Sequence, residues 1–113
     1  MDICIKNKII VPNIKIIKSP LKQAIGLMFS KQKNIIFEFK KEKKELIHMF
    51  FVFYPIDLVF LNKNKKVVEL KQNLKPFKTY KSKNKAKYIL ELRKNTIKNN
   101  KIKVNNNISF KKQ

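Results

Sequence analysis

Glycine, cysteine, histidine and arginine each occur once in these 113 residues, and only seven side chains are acidic. Each shortage closes a class of function. With Cys4 alone no intramolecular disulfide can form. With Cys4 and His48 as the sole candidates, neither a zinc site nor a Cys-His catalytic pair has its residues in the required spacing. One glycine, Gly26, cannot build a phosphate-cradling loop. No Ser-His-Asp grouping and no carboxylate pair stands out, so no catalytic residue, metal site or cofactor is read from the chain, and enzyme chemistry is not expected. Lys and Asn interrupt the N-terminal region from Lys6 onward, which leaves no apolar run of the length a secretory signal needs. A cytoplasmic protein is therefore expected.

What the chain has in excess is lysine. The formal charge is +21, and Lys, Asn and Ile together supply 56 of the 113 residues. That triplet is what an AT-rich genome writes wherever a position tolerates it. A surface shaped for nucleic acid usually shows arginine, whose fork reads phosphate and guanine in two-point contacts. The charge is accordingly read first as composition, although the positive field attracts polyanions whatever its origin.

One stretch escapes the lysine. Leu46–Leu61 carries only His48 and Asp57 as titratable intruders. It is shorter than the roughly 20 apolar residues of a membrane helix, and Pro55 would break a buried one, so no membrane span is expected. Phe, Val and Ile favour strands. Leu46–Phe53 and Ile56–Leu61 thus read as two central strands, buried on both faces and hinged at Tyr54–Pro55.

Around them, Lys8–Val11 and Ile14–Lys18 read as a strand pair turning at Pro12–Asn13. A helix over about 19–28 follows, with Ser19 as cap, Pro20 at its first position, and Leu21, Ala24, Ile25 and Met28 as its apolar stripe. Gly26 is read as structural, at a close approach or helix end. Asn34–Phe39 is a strand, Lys40–Glu45 a solvated turn, and Asn62–Lys65 a hairpin turn with Asn in the left-handed conformation. Lys66–Leu74 shows Glu69 to water; Ala86–Leu92 shows Glu91 to water as a surface partner for lysine. Arg93–Asn100 is a second short helical turn. Ile102–Val104 and Ile108–Phe110 end the sheet, and 111–113 are a flexible tail. The expected fold is mainly β: one small barrel- or sandwich-like domain over 1–113, with seven to nine short strands and one short N-terminal helix. Parallel βαβ organisation is not expected, since only one helix stands between any two strands.

Four segments carry a resemblance in order and spacing: GLMF at 26–29, HMFFVFYPIDLVFL at 48–61, VVEL at 67–70 and YILEL at 88–92. Through them the chain resembles the archaeal branch of the uncharacterised family called domain of unknown function one-hundred-and-ninety-two, over about 14–110. The resemblance implies a small, mostly β domain with short helices, and no activity. Where the family has a basic residue after GLMF, this chain has Ser30. Where it has glycines near the C-terminus, this chain has Asn95 and Asn105; Asn tolerates positive φ, so those turns are expected to persist.

Two function classes remain. The first is a non-catalytic binding domain with a small-molecule or protein site at the open end of the barrel. Its candidate residues are Asp57, His48, Met28 and Met49. A buried carboxylate such as Asp57 must be bonded, either to N–H groups after Pro55 or a lysine, or as the polar anchor of a pocket mouth. His48 reads structurally as a strand-end residue, and Met28 and Met49 first as core packing, otherwise as soft pocket lining or contacts to a soft metal. Pro55 is structural. The alternative is non-specific nucleic-acid association through Lys75, Lys78, Lys81, Lys83, Lys85 and Lys87, with Phe77, Tyr80 and Tyr88 offered for stacking.

Overall fold

The strand Ile56–Leu61 buries all six of its residues, which requires neighbours on both edges and cover on both faces. The computed structural model describes residues 1–19, 22, 23, 26–28 and 30–112, and shows how this is met. Among the described residues there are ten strands: β1 (Asp2–Ile5), β2 (Lys8–Val11), β3 (Lys15–Ile17), β4 (Ile35–Lys43), β5 (Leu46–His48), β6 (Ile56–Leu61), β7 (Val67–Leu74), β8 (Thr79–Lys81), β9 (Ala86–Arg93) and β10 (Ser109–Lys111). The central sheet has the order β3-β4-β9-β6-β7. In it β6 pairs antiparallel with β7 on one edge and β9 on the other.

Alternation along β6 then divides two cores. Val59 and Leu61 join Ile3, Val11, Ile36, Leu90 and Leu92 on one face, beneath the small sheet β10-β1-β2 and the segment holding a short helix, Thr96–Asn99. Ile56, Leu58 and Phe60 join Leu27, Phe37, Ile47, Met49, Val52 and Ile89 on the other, beneath the two-stranded sheet β5-β8. Each such side chain contributes roughly 1.5–3 kcal/mol when withdrawn from water. The fold is mainly β and sandwich-like. Among the described residues no sheet closes on itself, so the barrel alternative and its open end have no counterpart there.

The structure corrects several expectations. Only the second half of the Leu46–Leu61 run is a central strand. Leu46–His48 pairs with β8 alone, and after it the chain turns so that Phe50, Phe51 and Phe53 are exposed while Met49 and Val52 point into the core. Lys8–Val11 and Lys15–Ile17 do not pair with each other: β2 joins β1, whereas β3 lies parallel to β4. The segment 18–34 is long enough to serve as the crossover such a pair needs, so one parallel pair exists at the sheet edge. The solvated turn starts late, because β4 runs to Lys43.

Glu69 is buried rather than solvated. An extra residue, Val68, interrupts the register between Phe60 and Leu61, so that Glu69 pairs with Phe60 and turns inward. In the 62–66 turn the left-handed residue is Lys65, not an asparagine. Asn62 instead accepts the N–H groups of Asn64 and Lys66 through its Oδ1. Residues 102–104 form no strand, and Lys111 is part of β10 rather than of a tail, registered with Asp2.

Of the 19–28 helix, Lys22 and Gln23 are helical and 26–28 form a turn; Pro20, Leu21, Ala24 and Ile25 lie outside the described residues. The Lys22 N–H reaches Ser19 Oγ at 3.5 Å, and the Gly26 N–H donates to the Lys22 carbonyl at 2.9 Å. Gly26 has φ +53, a helix-terminating conformation for which it is the least strained residue. Asn95 and Asn105, standing where the family has glycines, have φ of 72 and 77.

Candidate functional site

On the face beneath β5 and β8 the core is incomplete. A cavity of about 240 Å³ opens between the central sheet, the 22–28 segment and β5. Its walls are Leu27, Phe37, Phe39, Ile47 and Val52, with Gln23, Gly26 and Met28 from the first segment, His48 from β5, and Glu91 from β9. Lys43, Glu45 and Leu46 also border it, the first two as an ion pair at 2.9 Å.

Glu91 gives the cavity its chemistry. Cross-strand register sets it between Ile35 of β4 and Leu58 of β6, two residues of the same apolar core. It is 5% exposed, and no hydrogen bond from a described residue reaches its carboxyl. Among the described residues no sealed polar side-chain atom lacks a partner, so the carboxyl oxygens keep contact with the cavity. Burial pushes its pKa up to about 8, leaving the group largely protonated at neutral pH. It is then a donor through O–H and an acceptor through its carbonyl. A buried carboxyl without a protein donor, beside open volume, is a strong mark of a binding site. Tyr54 feels it too: burial first, and the Glu91 charge second, raise the phenol pKa.

The other polar groups are held by the fold. Gln23 Nε2 donates to the carbonyls of Ile17 and Glu38, both at 2.9 Å. This ties the helical turn to the sheet edge and leaves the amide oxygen as an acceptor at the wall. The Phe50 N–H donates to His48 Nδ1 at 3.3 Å. The His48 ring stacks on Phe50, 5.1 Å between centroids. A Cβ added at Gly26 would lie 3.4 Å from Phe37 Cζ, so this position sets how closely the turn approaches the sheet.

His48 and Met28 therefore meet at one cavity, with Gly26 beside them. Met49 is 1% exposed within the core of the same face and is not part of the lining. Asp57 lies on the opposite face. Its Oδ1 accepts the Asn73 N–H and its Oδ2 the Ile97 N–H, each at 3.0 Å. Ile97 belongs to the short helix, whose own N-cap, Asn95, makes no side-chain cap bond, so Asp57 supplies that acceptor from β6. The partners are 16 and 40 residues away, not the turn after Pro55. Pro55 immediately precedes β6.

The lysines of 75–87 lie mostly at the surface. Lys75, Lys78, Lys81, Lys83 and Lys85 are exposed, and Lys87 donates to the Lys40 carbonyl. Of their aromatic companions Phe77 is exposed, whereas the two tyrosines are occupied. Tyr88 is buried edge-on to Phe110. Tyr80 donates to Glu69, which also accepts the backbone N–H groups of Lys83 and Asn84. Burial pushes the Glu69 carboxyl up, but the bonds from Tyr80, Asn84 and Lys83 together outweigh it and hold the pKa low. Burial and Glu69 push Tyr80 to about 12. Among the described residues no cluster of three or more His, Cys, Asp or Glu could hold a metal ion, and no helix is long and apolar enough to cross a membrane.

Sequence reasoning missed Glu91 and Gln23. For Glu91 a signal existed: it is the one polar residue in Tyr88–Leu92, in a strand with apolar residues of both parities, the same signature that drew attention to Asp57.

Fold and cavity define a small β-sandwich with a buried acid facing a pocket. The family model described as DUF192, Uncharacterized ACR, matches residues 3–110; the chain belongs to this family. A UPF0127 protein of Pyrococcus horikoshii is 38% identical over 81 residues, covering 69% of this chain and 70% of that protein. One from Pyrococcus furiosus is 38% identical over 89 residues, 76% of each. Two crystal structures share the fold. A protein of unknown function from Novosphingobium aromaticivorans has TM-score 0.86 at 17% identity, over 96% of this chain and 84% of that one. A putative transcription regulator from Sinorhizobium meliloti has TM-score 0.80 at 20% identity, over 85% and 79%.

Proposed function

We propose that this chain is a small-molecule-binding domain, without catalysis of its own, whose ligand sits in the cavity floored by Glu91. The observation that carries this reading is a carboxyl buried among apolar residues, bonded by no described residue, and open to a pocket. Leaving such a group without a partner costs about 1–3 kcal/mol, and a ligand that both donates to and accepts from a protonated acid recovers it. The volume is below the roughly 300–1,000 Å³ of drug-sized sites, so the ligand is a small uncharged metabolite bearing a hydroxyl or amide. In this reading Glu91, His48 and Met28 touch it and Gln23 offers a carbonyl, while Met49 and Asp57 hold the structure.

The single domain and the cytoplasmic location read from the sequence are kept as parts of the proposal. Nucleic-acid binding is not supported: of the three aromatic residues offered for stacking, Tyr80 and Tyr88 are occupied and Phe77 alone is exposed, and the likeness to the putative transcription regulator, at 20% identity, carries the fold alone. Native mass spectrometry of protein purified from its own host tests the proposal. A small mass retained by the parent and lost from Glu91→Ala is expected. Equal retention by both, or no retained mass at all, would overturn it.

A further inference from the structure

Among the described residues seven large hydrophobic side chains are exposed, and five of them, Leu46, Phe50, Phe51, Phe53 and Phe77, come from two adjoining segments. The turn after β5 and the turn before β8 are tied together by backbone bonds, Met49 N–H to the Lys78 carbonyl at 2.8 Å and Phe77 N–H to the Met49 carbonyl at 2.9 Å. The Phe77 ring lies edge-on to Phe51 and Phe53, at 6.2 and 5.5 Å. Phe51 has φ +56, a conformation that a phenylalanine rarely adopts. Through this turn Met49 and Val52 enter the core while three rings face outward. An exposed aromatic cluster tied in place by backbone bonds marks an interaction surface.

Its surroundings are basic. Lys44, Lys75, Lys78 and Lys81 are exposed beside these segments, and no acid occurs between Glu45 and Asp57 or between Glu69 and Glu91 in the sequence. At a net charge of +21 a second copy of the chain is repelled. Protein interfaces are enriched in aromatic residues, Met and Arg and depleted of Lys; this surface has the aromatic rings but sets them among lysines, with no arginine. That is the composition of elements lying at a lipid interface, with apolar side chains at the headgroup boundary and lysines on the phosphates.

We propose that this end of the molecule docks on an anionic lipid surface, inserting Phe50, Phe53 and Phe77, with Lys75 and Lys78 on the headgroups. The inference is independent of the Glu91 cavity. Co-sedimentation with phosphatidylglycerol–phosphatidylcholine vesicles, against phosphatidylcholine alone, tests it. Binding to the anionic vesicles is expected, weakened about tenfold or more by Phe53→Ser/Phe77→Ser. Lys75→Gln/Lys78→Gln should weaken it more than Lys6→Gln/Lys8→Gln on the sheet covering the other face. Should the double phenylalanine variant melt early, Phe53→Ser alone, at the most exposed ring (64%), carries the test, with a loss of about threefold. Parent-like vesicle binding by the phenylalanine variants would mean that bulk charge suffices, and would overturn the proposal. So would absent binding at low salt, a dimer that the variants dissociate, or an acidic protein partner lost while vesicle binding persists.

Discussion

The two faces of the central sheet each bury one carboxyl, and they treat it in opposite ways. On one face Asp57 receives two backbone N–H groups and knits β6 to β7 and to the helix Thr96–Asn99. On the other Glu91 receives no hydrogen bond from a described residue, and burial pushes its pKa to about 8. Both residues follow apolar neighbours and both are about 95% or more buried. The contrast lies in the cover. The helix and the small sheet bring backbone donors to Asp57, whereas the 22–28 segment and β5 stand off from Glu91 and leave a cavity. A satisfied buried acid organises a fold; an unsatisfied one beside open volume is the better candidate for function.

The largest expected effect tests the Glu91 side. From the ordinary carboxyl value of 4.5 to about 8 the unfolded chain has lost its proton while the folded chain keeps it. Stability from this group is therefore full below 4.5 and falls as pH rises through about 8, by on the order of 5 kcal/mol across the window. Glu91→Gln should flatten that slope and be the more stable protein at pH 8. Parallel pH–stability curves for the two proteins would show that Glu91 is not a buried neutral acid.

Next comes the Asp57 side. Asp57→Ala leaves two buried N–H groups without an acceptor and should cost about 3 kcal/mol. Asp57→Asn keeps the shape but weakens the charge-assisted bonds, for a loss of about 1–3 kcal/mol. A melt of Asp57→Asn matching the parent would erase the contrast between the two acids and return Asp57 to the list of ligand anchors.

Gly26→Val forces a branched side chain into φ +53 with its Cβ 3.4 Å from Phe37 Cζ. A loss of about 1–2 kcal/mol is expected, together with weaker retention of any bound ligand. An unchanged denaturation midpoint would make the position ordinary surface. The smallest effect belongs to the cavity border. Lys43 is 54% exposed in its pair with Glu45, so Lys43→Gln should shift stability by less than about 1 kcal/mol; a larger loss would mean that the border is built more tightly than the cavity it surrounds.

By itself the sequence determined the mainly β fold, the central place of Ile56–Leu61 and the turns at Asn95 and Asn105. These follow from local chemistry: β-branched and aromatic residues favour the pleat, a doubly apolar run needs cover on both faces, and Asn tolerates positive φ. It also singled out Gly26, His48 and Met28, three residues that meet at the cavity. Only the tertiary structure decided which neighbours those strands take and what each face encounters. Alternation assigned Glu69 and Glu91 to water because period two specifies the side of a strand, not whether that side is covered. A bulge turned Glu69 inward, and the β5-β8 layer covered the Glu91 side. The apolar first half of the 46–61 run gave no sign of its exposed phenylalanines, since the left-handed turn at Phe51 is held by contacts to Lys78 and Phe77, far along the chain. The partners of Asp57 were illegible for the same reason: acceptors and donors 16 and 40 residues apart are matched by packing, and no local pattern encodes that distance.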